Sequence, residues 1–347
     1  MLYYTLQNIP AKYRARVDNI QVIAIADAKD TGREGLEGLL ADFLNGIRQL
    51  AAEGIEIEFA PGLTHTFHGF LIGLIGDTLA VQDLLGMKIG VGFAFRPCRN
   101  CFGDHDGMQG HFMEADFQIR HLDLHRAICE MLDELNAADR VAFSTFVGVN
   151  GASILDDVPH FDLINMSPHD SMHIIIEGGL SHELRLLLNQ WIFVDHFFTV
   201  AQLNDRIAAF DYGYMERSNK PSPITADQIQ RNVTGLPGQK ASQIWLLARS
   251  LMLLVNDLVP AGDLFAECWE AHLRILFAAL APEVHPQTPV LLTQLIEDHH
   301  QLFILRYPQV QITPKLHYYV HIPGILLRSP LFSFFPILFF LFSVFCF

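Results

Sequence analysis

The sequence predicts an α/β + α chain, in which a short α/β segment is followed by a larger, mostly helical region. Two observations carry this. Short apolar runs alternate with helix-type patterns up to about residue 115. Beyond it, long stretches carry apolar residues at three–four spacing, separated by loops rich in Pro, Gly and polar residues.

Residues 2–9 (LYYTLQNI) and 20–26 (IQVIAIA) read as strands, the first aromatic-rich and the second a near-continuous apolar run. From Leu36 the apolar positions 39, 40, 43, 44, 47, 50 and 51 follow helical spacing, and Gly54 stands where a C-terminal cap belongs. FHGFLIGLIGD, 67–77, reads as a buried strand ending on Asp77, and TLAVQDLLGM as the helix after it. VGFAFRPC, 91–98, adds one more short strand. Helices are expected over 120–138, 171–191, 199–210, 240–257, 264–280 and 288–306, with loops at 211–239 and 281–287. The expected organisation is a partial α/β core over 1–115, a helical domain over 116–324 and an apolar tail over 325–347.

Half of the residues are hydrophobic and only 18% are charged, which excludes bulk disorder. The formal net charge is −15, so the surface repels a phosphate backbone unless basic residues cluster on one face. Lys12, Arg14 and Arg16 form the densest basic patch, and it is small. Five cysteines, only two of them close together, fit a reducing intracellular compartment, nuclear or cytoplasmic, better than a disulfide framework. The tail from Leu331 to Phe347 is uncharged and somewhat shorter than the stretch of about 20 residues that spans a bilayer. It reads either as a membrane anchor, with a membrane location to match, or as an artefact of the gene model.

Four features can carry chemistry. Asp77 closes an apolar run ahead of a helix, where open α/β sheets place catalytic carboxylates and where Asp also serves as a plain helix cap. Cys98 and Cys101 form a C-x-x-C pair, spaced for two thiolates on one structural zinc ion. A redox dithiol and two unrelated thiols are the rival readings. Asp170 and His173, at i and i+3, share a helix face and either ligate a metal, orient one another, or serve as cap and core residue. His317 and His321, at i and i+4, have the spacing of a helical histidine pair, a weak signal in a chain with 17 histidines. No nucleophile elbow, P-loop or H-E-x-x-H occurs, which leaves hydrolases of those classes unsupported.

Taken in order, YYTLQNIP, IQVIAIA, GDTLAVQDLLG, CRNC, SILDDVPHF, PHDSMH, FDYGYMERSNKPSPI and TPKLHYYVHIP resemble animal transposon-derived proteins related to CACTA-type RNase H-like DNA transposases. The similarity covers residues 2 to about 323. It implies an incomplete RNase H-like core with a large helical insertion, in which Asp77 stands for the second of three catalytic carboxylates. It further implies a zinc site of Cys98, Cys101 and His125, with His173, His111 and Cys129 open as the fourth ligand. Asp170 and His173 match the D-x-x-H signature of the insertion. In complete relatives the first acid precedes the YYTL-type strand and the third follows the KLHY-type segment; neither is matched here. The resemblance therefore implies a remnant without strand-cutting activity, Mg or Mn and DNA being the cofactor and partner of complete relatives only. A zinc-stabilised interaction protein or a tail-anchored membrane protein are the alternatives, and the oligomeric state is left open.

Overall fold

The computed structural model describes residues 1–14, 16–27, 33–231 and 234–328. The fold is mixed and mostly helical, with two small antiparallel sheets near the N-terminal end. β1 (Leu2–Tyr4) pairs with β2 (Gln21–Ala24), as the two apolar runs suggest. α1 (Arg33–Ala52) packs on β2 and buries Leu40 and Leu44. Beyond it the chain reverses at Gly54, whose φ of 76° is open to glycine at no steric cost. β3 (Ile55–Ala60) and β4 (Leu63–Phe67) follow as a hairpin exposed along both strands. The period-two alternation of Ile55, Ile57 and Phe59 with Glu56 and Glu58 is the strand pattern behind it.

Two expected strands are absent. Residues 68–77 join neither sheet; a single backbone bond, Leu74 N–H to the Met166 carbonyl at 2.9 Å, ties them to the 160s. An apolar run can pack without a ladder, and here Leu71 and Leu74 lean on a small core from extended backbone. Residues 91–98 likewise form a turn at Val91–Phe93 and then irregular chain, where Phe95 stacks on Phe146 with ring centroids 5.6 Å apart. Both stretches lack a neighbouring edge with which to exchange hydrogen bonds.

Helix reading fares better. α2 (Thr78–Leu84) follows Asp77. The helix expected over 120–138 is two, α3 (Leu122–Glu134) and α4 (Ala137–Val147). Asn136 divides them, because its side-chain oxygen accepts from Ala138 and Asp139 N–H at 3.1 Å and starts a new helix. The helix expected over 171–191 is continuous but uneven: α-helical α5 (Ser181–Asn189) is flanked by wider π-helical turns at Met172–Leu180 and Gln190–Val194. Around it stand α6 (Val200–Ala209), α7 (Ala241–Val255), α8 (Leu264–Ala279) and α9 (Thr288–Arg306), close to the expected bounds. The chain then runs through α10 (Pro314–His317), a tight 3₁₀ turn at Tyr318–His321 and α11 (Ile322–Arg328).

Two principal hydrophobic cores organise these elements, and neither respects a boundary at 115. The smaller joins Leu2, Leu40, Val81 and Leu85 to Leu155 and Phe161. The larger fills the helical region and includes Cys98, Cys101 and Met108. The C-x-x-C loop thus belongs to the helical core. Among the described residues no helix is long and apolar enough to cross a membrane. Residues 329–347, nearly all of the expected tail, lie outside the described residues.

Gly178 and Gly179 face Lys315, Leu316 and Tyr319 with no room for a side chain. A Cβ on Gly179 would stand 2.2 Å from Tyr319 Oη and 2.6 Å from Leu316 Cδ2, both on buried side chains. Gly179→Ala is therefore expected to destabilise the fold by about 1–3 kcal/mol, the usual cost of overpacking. Urea denaturation checks this, and an unchanged midpoint would show that the contact can relax freely.

Candidate metal centre

The C-x-x-C loop is shaped by two buried arginines. Arg120, brought alongside by the isolated β-bridge between Cys101 and Ile119, donates through Nε to the carbonyls of Cys98 (2.9 Å) and Cys101 (3.1 Å). Its Nη2 reaches the Val147 carbonyl at 2.6 Å, and its guanidinium lies 4.1 Å over the Phe102 ring. Arg99, between the two cysteines, donates to the carbonyls of Ser167 (3.1 Å) and Pro168 (2.6 Å). Burial lowers both guanidinium pKa values to about 10. Asn100 and Gly103 N–H point at Cys98 Sγ (3.4 Å) and Cys101 Sγ (3.3 Å), so the turn supplies donors that favour thiolate.

The two histidines that complete the group come from the far end of the chain. His317 ends α10 and His321 ends the turn after it, one turn apart on the same side. His321 Nε2 lies 3.4 Å from Cys98 Sγ, and His317 Nε2 lies 3.3 Å from Cys101 Sγ. All four donor atoms fall within 4.8 Å of one another, and all four residues are buried. Two sulfur and two imidazole ligands on a tetrahedral zinc ion sit about 3.6 Å apart for each S···N pair. The donor set and its spacing fit a metal ion such as zinc.

The surroundings behave as supports for ligands. His321 Nδ1 is 2.9 Å from Glu114 Oε1, the carboxylate–histidine arrangement that fixes a ligating ring. Arg328 holds both oxygens of Glu114 at 2.8 Å. Burial pushes the Glu114 carboxyl up, but His321 and Arg328 outweigh it and hold it below its ordinary value. Burial alone would raise the Cys98 thiol; hydrogen bonding from Cys101 and the charge of His321 instead hold it well below the usual thiol range. His321 is pushed up to about 9, with burial opposed by Cys98 and Glu114. Beside them His169 stacks on Tyr318 at a centroid distance of 3.9 Å.

Of the residues expected for zinc from the sequence, Cys98 and Cys101 are in the group. His125 is not: on α3 its Nε2 faces Cys129 Sγ at 3.7 Å. The group likewise lacks His111, Cys129 and His173, and His317 with His321 supplies the other two donors. The resemblance pointed to His125, whereas the helical pair at 317 and 321 is the i, i+4 signal that finds the partners. Glu114, Arg99 and Arg120 gave no sequence signal.

Asp77 caps α2, its Oδ1 accepting from Ala80 N–H at 2.9 Å. Asp170 Oδ2 lies 2.6 Å from His173 Nδ1, and Glu177 is 3.8 Å from the ring's other nitrogen. Burial works against a charged His173, but Asp170, Glu177 and Asp77 together hold its pKa above the ordinary value. Asp77 and Asp170 both act on Arg99 as well, so Asp77, the C-x-x-C loop and the Asp170–His173 pair share one electrostatic neighbourhood. No protein-family model matches this chain, and no curated protein matches it.

Two outcomes are expected. Adding zinc to chelator-treated chain should stabilise it by about 4 kcal/mol once free metal reaches a thousand times its dissociation constant. Cys98→Ser should diminish that increment in a thermal-shift titration; an undiminished increment would rule out Cys98 as a ligand. Separately, burial depresses His125 and His182 to about 4. The unfolded chain, with histidines near 6.5, then takes up protons that the native state refuses, so stability falls as pH drops from about 6.5 to 4. Replacing either histidine by Gln should flatten that slope by about one proton, measured by denaturation across the window.

Proposed function

We propose that this chain is the remnant of an RNase H-like DNA transposase, stapled by structural zinc at Cys98, Cys101, His317 and His321, and unable to cut DNA by itself. The carrying observation is that two motifs of the resemblance, the C-x-x-C loop and the Asp170–His173 pair, are joined side by side although they are far apart in sequence. Arg99 rises from the C-x-x-C loop and grips the Ser167 and Pro168 carbonyls just ahead of Asp170. Zinc suits the staple because two thiolates and two imidazoles form a closed tetrahedral set that leaves no coordination position for substrate.

Loss of cutting follows from what two-metal chemistry requires. Strand transfer needs carboxylates converging on two cations roughly 4 Å apart. Among the described residues, metal-donor atoms converge in two buried groups, and neither contains Asp77. The Asp77 carboxylate instead caps α2. A net charge of −15 further opposes tight DNA binding.

Incubating the full chain with duplex and nicked DNA and either Mg²⁺ or Mn²⁺ tests this reading. No strand cleavage or joining is expected. Metal-dependent cleavage that disappears in Asp77→Ala would overturn the loss of activity and restore Asp77 as a catalytic residue.

A further inference from the structure

A second group of donor atoms lies at the centre of the helical core. Glu183 on α5, His272 on α8 and His299 on α9 are fully buried, with donor atoms all within 4.8 Å of one another. His272 Nδ1 and His299 Nε2 approach the same oxygen, Glu183 Oε2, at 2.6 and 2.7 Å. The outer nitrogen of each ring is held in turn. His272 Nε2 lies 3.0 Å from Tyr319 Oη, whose O–H donates to the Ile175 carbonyl at 3.3 Å. His299 Nδ1 lies 3.1 Å from His300 Nδ1, and His300 Nε2 lies 3.0 Å from the Leu316 carbonyl.

The direction of these hydrogen bonds decides what the inner atoms carry. A carbonyl only accepts, so His300 donates Nε2–H to Leu316 and, when neutral, keeps a lone pair on Nδ1. His299 must then donate Nδ1–H outward, which leaves its Nε2 lone pair facing Glu183. Tyr319 gives its one proton to Ile175, so His272 donates Nε2–H to the phenol oxygen and keeps its lone pair on Nδ1, also facing Glu183. Two lone pairs and a carboxylate thus converge in a fully buried core. Closing these contacts with protons instead requires an imidazolium in each chain, a net positive charge buried away from bulk solvent. Turning the Tyr319 hydroxyl onto His272 spares one of those charges but abandons the bond to Ile175, and one imidazolium remains.

A divalent cation satisfies every contact with neutral rings. Each ligating histidine then passes its outer N–H into a fixed chain of acceptors, the arrangement typical of metal-bound imidazole. We propose that Glu183, His272 and His299 form a second buried metal site, for zinc or a similar divalent ion that accepts nitrogen and carboxylate ligands. Glu183 Oε1 meets no nitrogen or oxygen donor, and the buried Cys268 thiol lies beside the carboxylate. Zinc at about 2.0 Å from each donor spreads the N···O pairs by about half an ångström, within reach of small side-chain rotations. The site would lock three core helices together.

Metal content of the full chain, purified without chelator and measured by elemental mass spectrometry, tests the proposal. Two zinc ions per chain are expected, falling to one in Glu183→Gln and to one in Cys98→Ser/Cys101→Ser. A single ion that survives Glu183→Gln but is lost with the cysteines would overturn the second site and leave the first intact. A single ion with the reverse behaviour would overturn the cysteine site and support this one. The wild-type count does not depend on whether either variant folds.

Discussion

The structure depends on two cysteines three positions apart meeting two histidines one helical turn apart, across separations of 216 and 223 residues. Closing so long a loop costs conformational entropy, which burial in the common core and a strong, directional interaction at the junction both offset. A metal ion such as zinc, shared by all four side chains, would supply such an interaction. It would fix the C-x-x-C loop against α10 and the turn after it, and through them the beginning of the helical core against its end. The Glu114–Arg328 pair behind His321 extends the clamp to the last described turn of the chain.

The buried arginines make sense only in this context. Arg120 and Arg99 are among the largest fully buried side chains, and a guanidinium away from water is costly unless its N–H groups are met. Both are met in part by backbone carbonyls, those of the loop and Val147 for Arg120 and those of residues 167 and 168 for Arg99, while Nη1 of each has no partner. Cys98, whose thiol is held well below its usual range, favours the charged form of both arginines against the effect of burial. The cysteine loop and the buried arginines are therefore one electrostatic arrangement.

Helices were legible in the sequence wherever apolar spacing ran long enough, as in α8 and α9, whose ends fall within a residue of the expected ones. Strands were not, because 68–77 and 91–98 are apolar for reasons of packing and have no edge to pair with. The hairpin at 55–67 went unread since its alternation is short and both of its faces are exposed. For the site, each half was visible by itself: the C-x-x-C by its spacing and the histidine pair by its helical period. Nothing in a linear sequence joins residue 101 to residue 317, so His125, implied by the resemblance, stood in the place of the distant pair. Glu183, His272 and His299 share no motif; the one sign is a glutamate inside the otherwise apolar face of α5.

Substituting cadmium-113 into the full chain and recording its couplings to protons tests the shared centre most directly. One cadmium resonance coupled both to the β-protons of Cys98 and Cys101 and to the ring protons of His317 and His321 is the expected result. A cysteine-coupled resonance whose imidazole couplings come from His125, with none from His317 or His321, would contradict it.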